Sequence, residues 1–126
     1  LVKPNELQNE LSPNITYLKA LVVAYWKLEG YIQSVNLCRR IWRGVDEQSF
    51  DWFWGRYWYT LSWYEYGTQK RDPDALDNAK KQIKNLKTIN LLEQLRRMAE
   101  AEKDPVKQQE MKKLYADFED LALKAG

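Results

Sequence analysis

Residues 50–67, FDWFWGRYWYTLSWYEYG, hold four of the chain's six tryptophans and four of its eight tyrosines, with no proline among them. Wound at 3.6 residues per turn, this stretch is apolar or aromatic around most of its circumference. Phe50, Trp54, Tyr57, Leu61 and Tyr64 share one side; Trp52, Tyr59, Trp63 and Tyr66 share another. A helix of that kind is stable only with neighbours on more than one side. It predicts the middle element of a stack of helix pairs.

The rest of the composition narrows the classes. At 126 residues the chain reads as one domain spanning 1–126, able to bury roughly two-thirds of its unfolded surface. Hydrophobic content of 44% with 30% charged residues is that of a globular chain, not a disordered one. A net charge of +2 does not by itself call for nucleic acid or a membrane surface. Histidine is absent, which removes the commonest general base and metal ligand. The lone Cys38 excludes an intrachain disulfide or a cysteine-cluster zinc site. The most apolar run, residues 18–26, is too short to span a membrane and contains Lys19, so no membrane insertion is expected. No secretory signal is visible, and the start at Leu1 fits a fragment whose localisation stays open.

Six helices are expected along the chain. Ser12-Pro13 reads as an N-cap and first turn, opening a helix that runs to about Glu29, stops at Gly30 and faces inward through Leu18, Leu21, Val22, Tyr25 and Leu28. Asn14-Ile15-Thr16 fits a glycosylation sequon, read as chance at a helix start. A second helix, residues 31–43, follows almost without a loop and buries Ile32, Val35, Cys38, Ile41 and Trp42. The aromatic helix starts from Asp46 or Ser49, and residues 68–71 should be a polar loop. Asp72-Pro73-Asp74 starts a fourth helix with Leu76, Ala79, Ile83 and Leu86 inside. Asn90 and Glu93 suggest a capping box for a fifth helix through about Lys103. Asp104-Pro105 opens the sixth, whose stripe is Met111, Leu114, Tyr115, Phe118, Leu121 and Ala122. No sheet is expected.

Residues 24–31, AYWKLEGY, resemble the hinge between the two helices of a tetratricopeptide repeat (TPR). Leu18, Leu21, Val22 and Tyr25 match the large, large, small and aromatic pattern of that family's first helix. Ser34, Cys38 and Ile41 match its second. Small residues there let two helix backbones approach. A looser second copy runs from Trp58, Leu61 and Ser62 to Ala79, Ile83 and Leu86, with Glu65 where an aromatic is usual and a longer connecting loop. The resemblance covers residues 14–88, and 90–124 only by analogy. It implies an all-α, TPR-like superhelix of about three antiparallel pairs (12–44, 49–88 and a degenerate or capping 90–124).

The resemblance further implies a non-enzymatic scaffold that binds a peptide or a partner-protein segment in a concave, aromatic-lined groove. Carried over residue by residue, the groove positions are Thr16, Lys19, Val23 and Trp26, then Arg56, Tyr59, Trp63 and Tyr66. Lys19, Lys27 and Arg56 would supply charge, and Trp26, Tyr59, Trp63 and Tyr66 rings. The same rings are equally readable as core. The family's tail-carboxylate clamp is not expected, because Val23, Tyr59 and Trp63 stand where its polar side chains would be. The alternative function is nucleic-acid binding through Arg39, Arg40 and Arg43 of the second helix and Lys80, Lys84 and Lys87 of the fourth, with Arg96 and Arg97. Asp72, Asp74 and Asp77 read as cap and dipole partners instead of a metal site, and no cofactor is expected. Self-association through the sixth helix is a further possibility.

Overall fold

The structure is a computed structural model that describes residues 14–126. The described residues are all-helical: α1 (Ile15–Lys27), α2 (Tyr31–Arg43), α3 (Phe50–Lys70), α4 (Pro73–Thr88), α5 (Leu91–Ala101) and α6 (Pro105–Ala125). The chain divides into two compact units, the first ending at Ser62 and the second starting at Trp63.

In the first unit α1 begins at Asn14, whose side chain accepts from the Tyr17 N–H at 3.0 Å. The expected Ser12-Pro13 start lies outside the described residues. The α1–α2 turn also differs from expectation. Glu29, not Gly30, takes the left-handed conformation, at φ 63°. Gly30 caps α2 instead, where a Cβ would come within 3.1 Å of the Tyr25 ring.

The core of this unit is Leu18, Val22, Tyr31, Val35, Cys38, Ile41, Trp52, Phe53 and Tyr59. Two buried hydroxyls join its three helices. Ser62 Oγ donates to Ser34 Oγ at 3.1 Å, and Ser34 Oγ donates to the Val22 carbonyl at 3.4 Å. Both serines are therefore satisfied, and their size allows close backbone approach. Lys19 meets Asp51, while Trp26 further along α1 meets Trp58 further along α3, so these helices run in the same direction. The α2 helix opposes both.

Three residues expected inside are open: Tyr25 is 39% exposed, Leu28 80% and Ile32 40%. Leu28 lies beyond the last helical residue of α1 and so leaves its stripe. On α2, Tyr31 and Ser34 face inward in place of Ile32.

In the second unit the expected loop at 68–71 is mostly helix, because α3 continues through Lys70. Thr68 Oγ1 donates back to the Tyr64 carbonyl at 2.8 Å, which keeps it compatible with the helix. The reversal is confined to Arg71, at φ 51°, and Asp72. Asp72 Oδ1 then accepts from the N–H groups of Asp74 and Ala75 at 3.0 and 3.3 Å, capping α4 as expected. Asp72→Ala should therefore cost about 1 kcal/mol in denaturant unfolding, and Asp72→Asn much less.

Leu76, expected in the core, is 36% exposed, and Ala75 is buried in its stead. The capping box before α5 does not form. Asn90 is left-handed at φ 55° and makes no side-chain cap bond, while Glu93 accepts from Arg96. That bond holds the Glu93 carboxyl below its ordinary pKa and raises that of Arg96. The α5 helix ends at Ala101, short of Lys103, because Glu102 is extended and Asp104 caps α6 through the Val106 N–H at 3.2 Å. Met111, Leu114, Phe118, Leu121 and Ala122 are buried, and α6 packs on α4 and α5. The α6 stripe is consumed within its own unit.

Candidate functional site

The open face of α1 carries a shallow groove of about 490 Å³ lined by Lys19, Ala20, Val23, Ala24, Lys27 and Trp54. Its floor is small and apolar, since α1 carries apolar residues nearly all round and buries only Leu18 and Val22 fully. Lys19 and Lys27 lie about 12 Å apart along the helix axis, the rise of eight residues. Lys19 Nζ bonds Asp51 Oδ1 at 2.9 Å and sits 5.0 Å from the ring centres of both Phe50 and Trp54. Lys27 is exposed.

Trp26 does not line this groove. Its ring stands edge-to-face on Tyr31 at 6.3 Å and on Trp58 at 5.6 Å. Its indole N–H is buried without an acceptor among the described residues.

Arg56 and Tyr59 lie on the α2 side of α3. The Arg56 guanidinium carbon is 4.3 Å from the Trp42 ring centre and 4.8 Å from that of Trp52. Tyr59 is buried edge-to-face on Trp42 at 4.8 Å, with the Arg39 guanidinium donating to its hydroxyl at 3.3 Å. Burial lowers the Arg56 pKa from its ordinary value, against the opposing influence of Tyr59 and Glu47. Tyr59, read from the sequence as a groove ring, is thus core. Its face of α3 is taken by α2.

In the second unit Trp63 and Tyr66 are half-buried and meet edge-to-face at 6.0 Å. That unit also has a cavity of about 370 Å³ bordered by Leu86, Lys87, Glu93 and Tyr115.

Sequence reasoning missed Trp54 as a groove wall and Trp42 and Trp52 as the partners of Arg56. The spacing of Phe50, Trp54 and Trp58 signals a ring row, but not which helix it faces. Cys38 is buried and its thiol pKa is pushed up by burial, leaving it protonated and inert. Among the described residues no cluster of His, Cys, Asp or Glu could hold a metal, and no helix is long and apolar enough to cross a membrane. No family model, curated protein or solved structure matches the chain.

Proposed function

We propose that the chain is a TPR-like scaffold whose first helix pair grips an extended segment of a partner protein on the open face of α1. The observation that carries this reading is the α1 groove itself. Lys19 and Val23, which the resemblance places at ligand-facing positions, both line it, and Ala20, Ala24 and Trp54 complete an apolar floor and wall. The helix arrangement supports it as well. Val22, Ser34 and Ser62, which match small positions of the repeat, meet at one point in the core of the first unit. The parallel run of α1 and α3, with α2 antiparallel, is the order expected of one repeat followed by the first helix of the next. Tyr59, one of the second set of groove positions, is buried, which favours the first set as the contact surface.

A displayed library of extended peptides, selected against the folded chain, tests this. Selected peptides should lose about tenfold or more in affinity on Val23→Glu, which places a charge on the apolar floor. The unfolding midpoint should stay unchanged, since Val23 is partly exposed. Peptides whose affinity is indifferent to Val23→Glu would refute the groove. Binding to an oligonucleotide that falls steeply with salt and survives Val23→Glu would favour the nucleic-acid alternative.

A further inference from the structure

We infer that Arg56, held by the indoles of Trp42 and Trp52, is a receptor for a carboxylate on an acidic segment of a partner protein. The site is built from α2 and α3 and shares no residue with the α1 groove. It rests on the scaffold reading only for the kind of occupant.

A guanidinium offers five N–H donors in one plane. Here the Trp42 and Trp52 rings, 4.3 and 4.8 Å from its carbon, hold that plane, so little side-chain freedom remains to be lost on binding. The donors themselves are under-used. Arg56 Nε is buried without an acceptor, and no carboxylate lies within ion-pair distance of Arg56 among the described residues. Exposed lysines can leave such charge to water. Arg56 is only partly reached by water, so a carboxylate that bonds its terminal nitrogens meets a charge already partly stripped of water.

The surroundings favour an anion. Arg39 is engaged by the Tyr59 ring and hydroxyl, and Arg40 and Arg43 follow on the same helix. None of these arginines is paired with a carboxylate among the described residues. Glu47, in the segment before α3, favours the Arg56 charge without forming an ion pair with it among the described residues. Glu47 is thus an internal competitor for the same donors.

The rings decide between acidic protein and nucleic acid. Trp42 is occupied by Arg56 and Tyr59, and Trp52 by Arg56 and Phe53 at 5.1 Å, so neither is free to stack a base. What remains on offer is a planar edge of N–H groups, which matches the two oxygens of a carboxylate.

Titration of acetyl-hexaglutamate amide into the full chain, by calorimetry and by the Nε–Hε proton signal of Arg56, tests the site. Arg56→Gln should lower affinity about tenfold, the effect of losing one charge-assisted hydrogen-bonded pair. Arg40→Gln removes the same charge and should change it less than about twofold, as for an exposed pair. Glu47→Gln should tighten binding, and Val23→Glu should leave it unaltered. Should Arg56→Gln fail to fold, Arg56→Lys keeps the charge without the planar fork and should still weaken binding. An unmoved Arg56 signal, equal losses in the Arg56 and Arg40 variants, or inorganic phosphate or oligothymidylate binding through Arg56 in preference to hexaglutamate would overturn the assignment. Loss in Val23→Glu alone would instead locate the acidic peptide in the α1 groove.

Discussion

Phe53→Ala should lower the free energy of unfolding by about 3–5 kcal/mol, the range for emptying a large, sealed aromatic site. Phe53 is 0% exposed and, with Phe118, is one of the two largest fully buried side chains among the described residues. Phe50, three residues earlier on α3, is half-buried and lies over the Lys19 ammonium at 5.0 Å. Phe50→Ala should cost about 1 kcal/mol, the order of an exposed cation–π contact. Denaturant melts of the two variants measure the difference directly. Equal losses would mean that the inward face of α3 is not the one described.

Gly67→Ala should cost about 1–3 kcal/mol, the usual penalty for overfilling a packed contact. A Cβ at Gly67 would lie 2.7 Å from Leu76 Cγ and 2.9 Å from the Leu76 backbone N. Side chains can turn aside, but the backbone of α4 cannot without shifting the helix. Adding Leu76→Ala to Gly67→Ala should therefore recover only part of the loss. Gly55→Ala is the matched control, because its Cβ would have no neighbour nearer than 3.4 Å. A Gly67→Ala chain that melts like its parent would show that α3 and α4 have room to spare there.

These two residues show where sequence reading works on this chain and where it stops. Phe53 belongs to neither of the two ring sides that helical spacing picks out along residues 50–67. Hydrophobic periodicity locates a core face by contrast with a polar one, and this helix supplies almost no contrast. On α6, where Lys112, Lys113, Glu119 and Asp120 interrupt the apolar positions, the stripe was legible and all but the half-buried Tyr115 is buried.

The candidate groove divides in the same way. Lys19 and Val23 were legible as groove positions from the repeat resemblance, and Lys27 as a charge beside them. Trp54 was not, because its place in the groove depends on α3 running parallel to α1. Arg56 could be read as a charge among rings, with Trp52 one turn before it on the same helix, but its second indole, Trp42, comes from α2. Pairing of that kind has no local sequence signal.

The amino-acid order alone therefore determined that the described residues are all-helical, with α2 spanning residues 31–43 and Asp72 starting α4, because caps, turn residues and period act within a few residues of one another. Tertiary packing alone decided which rings of α3 are core, that Leu28 and Leu76 face water, and that Arg56 rests on Trp42. The physical reason is that burial belongs to pairs of surfaces. A helix apolar on every side meets its partner by whichever face allows the closest approach, and here small residues such as Ser34, Gly55 and Ser62 set that approach.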